Sequence, residues 1–464
     1  MSLVWAVGPD HAHSSLRAVA KRRSVPRGHA NGRGTRGVAR PCWLAYREPV
    51  SHNADQDGGF RIVIAGGGFA GGTLALALAR FAPKTCRVTL VDAASPEAPR
   101  DPDGRGLALS PASKNLLTAI GLWPRLEPGA QSMDAIEITD SPLNAALRPH
   151  LLGFTEELRN DGAKAWLVEA GALLDAITEA VDADPSIEVI APDTVEGFET
   201  DAFSADIHLA SGRTVRAALI AAADGKNSRA RTLAGIKCIG WTYPQMGIVA
   251  TLAHERPHQG RAVQHFLPSG PFAILPLKGN RSSIVWTEDA DKAKALVSGD
   301  PDMFAAELGR RFGHRLGTIS LEGPARAFPL AFQMARAFVG DRLALVGDAA
   351  HVVHPLAGQG LNIGLRDVAA LVEAVTDNAR LGLDIGSATA LGRYQRWRRF
   401  DSAFSGAVMD GMNRLFSNDS APLRAIRDLG MGLVDRAPGL KRFLVREAAG
   451  ATGDVPRLLK GEAL

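Results

Sequence analysis

Three glycines in the N-terminal part of the chain have the spacing of a nucleotide-binding turn. Gly66, Gly68 and Gly71 occupy the three fixed positions of G-x-G-x-x-G. In this pattern the first glycine permits a tight turn, the second lets the backbone approach a pyrophosphate, and the third lets a helix pack closely on a strand. Asp92 lies 21 residues after Gly71, where a carboxylate can accept hydrogen bonds from ribose hydroxyl groups. The combination predicts a dinucleotide site without saying which dinucleotide binds.

Two further motifs place acidic and glycine residues directly after predicted strands. An Asp-Gly motif occupies 224–231, and a Gly-Asp motif at 347–351 is followed by Pro355 and a glycine-rich stretch at 358–364. An acid at the end of a buried parallel strand can point into the crevice where open α/β sheets bind their ligands. Glycines that open a helix offer backbone N–H groups to an anionic or electron-rich ligand atom. We therefore expect the three motifs to form one composite site.

Apolar runs and helical periodicity predict the elements that must carry these motifs. Short apolar runs are typical of buried strands, and Ala/Leu-rich stretches with helical spacing indicate helices. The first strand, the helix after the glycine turn and the strand that ends at Asp92 form a βαβ unit. The predicted strands are 60–65, 87–91, 215–223 and 342–346, with antiparallel sheet between 246 and 286; the predicted helices are 73–81, 168–181 and a helical region from 361 almost to the C-terminus, broken at Pro422 and Pro438.

With these motifs in place, the chain resembles the FAD-dependent aromatic hydroxylases, the superfamily typified by para-hydroxybenzoate hydroxylase. The resemblance extends from Phe60 to Leu464 and rests on the G-x-G-x-x-G, Asp-Gly and Gly-Asp motifs. More narrowly, the chain resembles the ubiquinone-biosynthesis hydroxylases of the octaprenyl-phenol type, through the segments 107–113, 347–351 and 354–367. One departure is Asp92, where this group commonly has Glu; the shorter acid can still reach a ribose.

The resemblance implies a role for each motif residue. Asp348 would hydrogen-bond the ribityl chain of FAD, Pro355 would line the flavin face where oxygen and substrate meet, and Asp224 would act near the pyrophosphate. Arg105 and Ser110 match positions beside the cofactor. The helix start at 358–362 would direct N–H groups at the pyrimidine edge of the flavin, where negative charge develops on reduction. The predicted catalytic residues are Pro355, Gly358, Gln359 and Gly360; the predicted cofactor-binding residues are Gly66, Gly68, Gly71, Asp92, Arg105, Ser110, Asp224, Gly225, Gly347, Asp348, Leu361 and Asn362.

The same resemblance implies the chemistry, which belongs to the cofactor. NAD(P)H would reduce FAD, dioxygen would add to give a flavin hydroperoxide, and one oxygen atom would pass to the ring of a polyprenyl phenol. Only one G-x-G-x-x-G unit occurs, so NAD(P)H is expected to bind transiently as a co-substrate. The alternatives are a monooxygenase for another aromatic substrate, an FAD-dependent prenyl reductase, and a non-catalytic FAD-binding subunit of a biosynthetic complex.

The fold class that follows is α/β (α+β), with a Rossmann-type FAD-binding domain, an inserted antiparallel-sheet substrate domain and a helical C-terminus. The order of predicted elements makes the FAD-binding domain discontinuous. We predict that it comprises 58–130, 150–238 and 331–390, that the substrate domain comprises 131–149 and 239–330, and that 391–464 form the C-terminal helical region.

Composition supports a globular protein and sets the first segment apart. The 464 residues are 46% hydrophobic and 22% charged, enough for a substantial core. Residues 1–50 hold nine Lys or Arg against two acids, without helical or strand periodicity, so we interpret 1–57 as a disordered or mis-started extension. A targeting peptide and a nucleic-acid-binding tail are the alternatives for this segment, and the second is disfavoured because no basic motif with interleaved aromatic residues follows.

Other residue types predict where the protein resides and what else it binds. Three scattered cysteines suit a reducing compartment, and no apolar run reaches about 18 residues, so we expect a cytoplasmic protein without a spanning helix, peripheral to the inner membrane if it contacts one. No spacing of His, Cys and acidic residues resembles a metal site, and no nucleic acid is expected as a partner. The expected small-molecule partners are dioxygen and a prenylated phenol or another aromatic compound.

Three features remain open between a functional and a structural role. His351 and His354 could act as general bases, but structural roles are favoured because the oxygen-transfer chemistry needs no histidine there. The stretches 270–277 and 283–286 could wall an apolar substrate cavity or be ordinary core strands. Near the C-terminus, 394–400 and 440–446 mix bulky apolar and basic residues, which suits helices packed on the core with extended Arg side chains or, alternatively, a contact with a membrane or partner subunit.

Overall fold

The computed structural model describes residues 59–95, 104–140, 150–154, 164–355, 358–416, 439 and 455–464. The predictions for 1–57, for the helix breaks at Pro422 and Pro438 and for the segment 440–446 lie outside these residues. The mixed α/β fold class is confirmed, and so is the helical character of the described residues after 358.

A six-stranded sheet carries the three sequence motifs. Its neighbouring strands run parallel except at one edge, where the last two pair antiparallel. The central strands are almost fully buried, as expected for a parallel sheet covered on both faces. In spatial order the strands are β18 (Val339–Gly340), β19 (Leu343–Leu345), β12 (Leu219–Ala222), β1 (Phe60–Ala65), β2 (Cys86–Val91) and β8 (Ile187–Ile190).

The carboxyl ends of four adjacent strands meet at one edge of this sheet. There β1 leads into Gly66, β2 into Asp92, β12 into Asp224 and β19 into Gly347. The helices that follow the glycine motifs are α1 (Phe69–Phe81) and α8 (Gln359–Arg380), and the two pack against each other. Motifs that lie almost 300 residues apart in the sequence are thereby brought together at one sheet edge.

A second, eight-stranded sheet is mostly antiparallel. One face is covered by α6 (Ala290–Ser298) and α7 (Pro301–Phe312), which bury Trp286 and Phe304. The opposite face contacts the segment 104–106, since Thr251 Oγ1 donates to the Gly104 carbonyl and Gly106 N donates to Ser283 Oγ at 2.8 Å. In spatial order its strands are β20 (His351–Val352), β17 (Ile319–Ala335), β13 (Cys238–His254), β16 (Arg281–Asp289), β15 (Gly270–Leu277), β14 (Arg261–Leu267), β5 (Ala135–Asp140) and β6 (His150–Phe154).

Two small sheets and the remaining helices complete the described structure. The small sheets contain β3 (Gly106–Leu109), β7 (Trp166–Glu169) and β4 (Gln131–Ser132), and β11 (Thr214–Ala217), β10 (Ala205–Leu209) and β9 (Val195–Thr200). The other helices are α2 (Pro111–Ala119), α3 (Trp123–Leu126), α4 (Ala170–Asp182), α5 (Arg229–Leu233), α9 (Ala388–Phe416) and α10 (Arg457–Lys460).

Several element boundaries predicted from the sequence were wrong. The first helix begins at Phe69 rather than Thr73, because the helix starts directly at the glycine turn. The predicted strand 215–223 is two strands in different sheets, β11 and β12, joined at Ala218. Val168 belongs to β7, so the predicted helix at 168–181 begins only at Ala170. The division into domains remains a prediction, although β6, whose residues it assigned to the FAD-binding domain, pairs in the eight-stranded sheet.

None of the helices in the described residues combines the length and the apolar character that crossing a membrane requires.

Candidate functional site

The glycine turn after β1 is built for close approach of backbone. Gly66 has a φ of +99°, and a Cβ there would lie 2.5 Å from the Ala223 carbonyl oxygen. A Cβ on Gly71 would lie 1.8 Å from the Gly66 carbonyl oxygen, which excludes every other residue type. In contrast, a Cβ on Gly68 would meet no protein atom within 4 Å. The first and third glycines are therefore required by packing, while the second leaves open space at the N-terminus of α1.

Asp92 lies beside this turn, as its spacing predicted. A Cβ on Gly67 would lie 2.4 Å from Asp92 Oδ2, so the carboxylate is in contact with the turn's backbone. Its other oxygen accepts a hydrogen bond from Ala94 N at 3.3 Å. The acid and the open space above Gly68 therefore belong to one site.

Asp224 holds the second motif in shape. Its Oδ2 accepts hydrogen bonds from Arg229 N at 2.8 Å and Ala230 N at 3.0 Å, the first two residues of α5. Its Cα would lie 3.1 Å from a Cβ on Gly66, so the acid adjoins the glycine turn through its backbone. Because one carboxylate oxygen is used to cap a helix, the structure gives Asp224 a structural task in addition to the cofactor role predicted for it.

Arg231 connects the second motif to the third. Its side chain is buried and donates to the Ala349 carbonyl at 2.8 Å and to the Lys226 carbonyl at 2.8 Å. This arginine lies inside the 224–231 motif, but nothing in the neighbouring sequence indicates a bond to the segment after β19. It is one of the site-supporting residues that sequence reasoning did not identify.

The Gly-Asp motif forms a 3₁₀ turn, Gly347–Ala349, between α1 and α8. Gly347 has a φ of +61°, and its backbone lies against Ala70 of α1 and Gly364 of α8. The Asp348 side chain is accessible to solvent although protein atoms surround it closely, so its carboxylate lies in a recess of the protein surface. Burial raises the pKa of Asp348, and the charges of His351, Arg105 and Lys226 oppose that rise. Arg105 therefore lies near Asp348, as expected for two residues of one site.

The start of α8 is fixed against β3 and α2 by one buried amide. Asn362 Oδ1 accepts from Ser110 N at 2.8 Å and from Ser113 Oγ at 2.7 Å, and its Nδ2 donates to the Ala108 carbonyl at 2.8 Å. Ser110 Oγ in turn caps α2 by accepting from Ser113 N at 3.2 Å. The side chains of Ser110 and Asn362 are thus occupied within the protein, and they position the helix start.

The helix start itself presents backbone to open space. Gly358 has a φ of +65° and is the N-cap of α8, and its N–H donates to the Pro355 carbonyl at 3.0 Å. A Cβ on Gly360 would meet no protein atom within 4 Å. Gln359 and Leu361 lie in the same first turn. The Pro355 carbonyl is therefore bonded to the cap of an open helix N-terminus, which favours negative charge nearby.

A buried ionic network behind the Gly-Asp motif was not anticipated from the sequence. Asp367 is fully buried and accepts from Gly347 N at 2.9 Å, from His351 Nε2 at 2.6 Å and from Arg398 Nε at 2.7 Å. Arg398 of α9 also pairs with Asp401. Burial acts to raise the pKa of Asp367, but the charges and hydrogen bonds of His351 and Arg398 lower it overall. The carboxylate therefore stays ionised and fixes both ends of the turn that contains Asp348.

His354 is buried beside an aromatic side chain. Its ring lies edge-on to Tyr243 with centroids 5.2 Å apart, and Tyr243 Oη donates to Asp410 Oδ1 at 2.6 Å. Burial lowers the pKa of His354 to about 4, so the ring is neutral at pH 7. Among the described residues neither ring nitrogen has a hydrogen-bond partner. The burial of both nitrogens favours the structural role predicted for this histidine.

A cavity of about 750 Å³ lies on the face of the eight-stranded sheet that α7 covers. Its lining includes Glu137, Val263, Ile274, Phe312 and Leu316. Gly104 and Gly106, which flank Arg105 near Asp348, contact the opposite face of the sheet. The sheet therefore lies between the cavity and the Gly-Asp motif. Of the stretches proposed to wall a substrate cavity, 283–286 contributes Ile284 and Trp286 to the buried core, which favours the core-strand interpretation for that stretch.

Comparisons with known proteins identify a family and several relatives of this chain. The family described as FAD binding domain matches residues 60–381. A ubiquinone hydroxylase of Rhodospirillum rubrum is 42% identical over 434 residues, which cover 92% of this chain and 99% of that protein. The 3-demethoxyubiquinol 3-hydroxylase of Escherichia coli is 34% identical over 392 residues, covering 84% of this chain and 98% of that protein.

Solved structures show the same fold. The crystal structure of p-nitrophenol 4-monooxygenase from Pseudomonas putida superposes with a TM-score of 0.69, covering 85% of this chain and 99% of that one at 19% identity. A probable FAD-dependent monooxygenase from Pseudomonas aeruginosa gives a TM-score of 0.67, covering 80% of this chain and 99% of that one at 22% identity.

Proposed function

The chain belongs to the FAD-dependent aromatic hydroxylases, and we propose that it hydroxylates the ring of a polyprenyl phenol in ubiquinone biosynthesis, using NAD(P)H and dioxygen. The observation that carries this proposal is the convergence of the glycine turn, the Gly-Asp turn and the start of α8 at one edge of the parallel sheet. The relatives named ubiquinone hydroxylase and 3-demethoxyubiquinol 3-hydroxylase match 92% and 84% of this chain, and their names support the substrate class.

The residues at this edge fit an extended dinucleotide cofactor. Gly68 and Gly360 lie at the start of two different helices, and a Cβ added at either position would meet no protein atom within 4 Å. Asp348 and Arg105, which lie near each other, supply an acceptor and a donor in the same site. An FAD would extend from one helix start to the other, because a ribityl chain joins its pyrophosphate to its isoalloxazine ring.

Each protein group then has a defined task. The N-terminus of α1 binds the pyrophosphate through its backbone N–H groups, and Asp92 accepts hydrogen bonds from the ribose hydroxyls. Asp348 accepts from the ribityl hydroxyls, and the N-terminus of α8 at Gly360 stabilises negative charge on the cofactor. Pro355, whose carbonyl accepts from the N–H of the N-cap residue Gly358, lines the place where the substrate ring meets the cofactor.

When bound at the starts of α1 and α8, FAD would supply the redox chemistry, namely hydride acceptance from NAD(P)H and oxygen activation for hydroxylation of an electron-rich ring. The protein's own contribution is to hold the ring near the Pro355 turn and to exclude water. A second dinucleotide-binding domain is not needed for this scheme, since NAD(P)H binds transiently in the proposed cycle.

The substrate class also has a consequence for where the protein works. A polyprenyl tail partitions into lipid. We therefore also propose that this protein is cytoplasmic and either contacts the inner membrane peripherally or joins a biosynthetic assembly. A monooxygenase for another aromatic compound is the alternative, and it would need no such contact.

The proposal is tested with purified protein. We expect a yellow protein that couples oxygen uptake to hydroxylation of a prenylated phenol in the presence of NAD(P)H. The Asp348→Ala variant should lose FAD, whereas Asp291→Ala, a control on the exposed first turn of α6, should retain it. Reduction of the substrate without oxygen uptake, or full flavin retention by Asp348→Ala, would overturn the proposal. Faster turnover of a phenol without a tail would favour the alternative substrate class.

A further inference from the structure

The outward side of α9 bears a stripe of exposed apolar side chains. Phe400 is 78% exposed, Phe404 46% and Val408 44%, and the three are spaced four residues apart on one helical face. Ala403 and Ala407 are exposed between them. The opposite side of the same helix is buried and contributes Arg398 to the network at Asp367. Water-exposed phenyl rings in a continuous row on a folded helix indicate an interaction surface.

The stripe has basic residues at both ends. Arg396 and Arg399 are exposed before it, and within the described residues neither forms an ion pair. Arg414 is exposed after it and pairs with Asp410. The two acids of this helix segment face inward, because Asp401 binds Arg398 and Asp410 accepts from Tyr243. Among the described residues, the outward face therefore carries Arg396 and Arg399 without ion pairs, and Arg414 paired with Asp410.

An exposed tryptophan extends this surface onto β13. The Arg414 guanidinium lies 5.2 Å from the centre of the Trp241 ring, and Trp241 stacks on Phe332 at 4.5 Å. Trp241 is partly exposed, and Ile239, two residues earlier on the same side of the strand, is exposed as well. We call the set formed by Arg396, Arg399, Phe400, Phe404, Val408, Arg414 and Trp241 the α9 surface.

The residue types of the α9 surface indicate which kind of partner binds it. A helix that lies in a membrane interface has phenyl and aliphatic side chains on one face with arginine alongside, and tryptophan is enriched at the same depth. Anionic headgroups attract such arginines, whose stems lie along the apolar boundary. A second copy of the chain fits less well, because a twofold axis through this face would bring Arg396 and Arg399, which form no ion pair within the described residues, close to the same arginines of the partner.

We propose that the α9 surface docks on a lipid bilayer that contains anionic headgroups, with α9 lying along the membrane plane. This inference rests on the proposed function, since it identifies the surface through which an enzyme for a polyprenylated substrate meets the lipid that holds it. From Arg396 to Arg414 the helix is about 27 Å long, at a rise of about 1.5 Å per residue. Arg398 of the same helix binds Asp367, which in turn accepts from Gly347 N, so the docked element is linked to the Gly-Asp turn through one carboxylate.

The test is sedimentation of the FAD-loaded protein with vesicles. Vesicles of phosphatidylcholine alone are compared with vesicles that also contain phosphatidylglycerol. The Phe400→Ser/Phe404→Ser variant removes the stripe, and the matched control is Leu381→Ser/Leu383→Ser, which removes two exposed leucines (74% and 50% exposed) from the loop after α8. Arg396→Gln/Arg399→Gln removes charge alone. FAD content, read from absorbance, verifies the fold of every variant.

We expect the wild type and the leucine control to bind the anionic vesicles equally. The phenylalanine variant should bind at least about tenfold more weakly, and the arginine variant should lose its preference for anionic over neutral vesicles. Wild-type protein that stays in the supernatant with both vesicles, or a phenylalanine variant that binds like the wild type, would overturn the proposal. So would a dimer in light scattering that only the phenylalanine variant dissociates, because the occupant would then be a second copy. Hydroxylation of a tail-free phenol in solution is measured separately, so failure of the proposed function is distinguishable from failure of docking.

Discussion

Asp367→Asn removes one negative charge from the network behind the Gly-Asp turn while preserving the shape of the side chain. The wild-type carboxylate accepts three hydrogen bonds, from Gly347 N, His351 Nε2 and Arg398 Nε, at 2.6–2.9 Å. An amide offers one acceptor oxygen and turns two N–H groups towards donors. The substitution therefore leaves a buried arginine facing a neutral group and at least one donor of the turn without an acceptor.

The magnitude follows from the burial of these groups. Breaking a buried ion pair by removing one partner costs about 3–5 kcal/mol, because the remaining charge is left in a poorly solvating environment. Asp401 still pairs with Arg398 and has access to solvent, so the lower end of the range applies. A loss of about 3 kcal/mol corresponds to roughly a hundredfold change in the unfolding equilibrium. The loosened Gly347 turn should also release FAD more readily.

The assay is urea denaturation of the FAD-loaded protein, with flavin fluorescence reporting cofactor release. The matched control is Asp377→Asn on the same helix, whose side chain is 30% exposed and pairs with Arg393 and Arg457. That control should cost no more than about 1 kcal/mol, since solvent screens exposed pairs. If Asp367→Asn and Asp377→Asn unfold at the same midpoint and retain FAD equally, the assignment of Asp367 as the residue that fixes the turn is wrong.

Three further predictions, tested with four substitutions, concern other parts of the site. Gly71→Ala should prevent folding of the turn, because its Cβ would lie 1.8 Å from the Gly66 carbonyl oxygen, whereas Gly68→Ala should leave the unfolding midpoint unchanged and weaken FAD binding in a titration. Asn362→Ala should destabilise the protein by about 1–3 kcal/mol in urea denaturation and lower flavin retention, because buried donors and acceptors lose their partner. His354 has a pKa of about 4 in the folded protein, below its value in the unfolded chain, so between these values the unfolded chain binds the extra proton. The free energy of unfolding should therefore rise by up to about 3 kcal/mol between pH 4 and pH 6.5. The His354→Leu variant should lack that rise.

Specific outcomes would contradict these three expectations. Equal FAD affinity for Gly68→Ala and wild type would mean that the pyrophosphate does not approach that position. An Asn362→Ala variant as stable as the wild type would mean that Ser110 and Ala108 find other partners. An unchanged dependence of stability on pH in His354→Leu would assign that dependence to other groups.

Local patterns in the sequence were sufficient to locate the motifs. Glycine spacing reports on backbone geometry within a few residues, which is why Gly66, Gly71 and Gly358 were correctly identified as turn and helix-start positions. The buried parallel strands were recognised because strands covered on both faces are apolar throughout. Element boundaries were predicted less accurately, because tertiary packing places Val168 in a strand of a small sheet and divides 215–223 between two sheets.

The sequence by itself determined which residues have the chemistry of a flavin enzyme: the glycine turn, the two acid motifs and the helix start after Pro355. Only the tertiary structure decided how those residues are held. The bond from Arg231 to Ala349, the amide of Asn362 between β3 and α8, and the carboxylate of Asp367 between Gly347 and Arg398 all join segments far apart in the chain. The physical reason is that a buried polar group must find its partner wherever packing places one, and that choice has no period or spacing in the sequence.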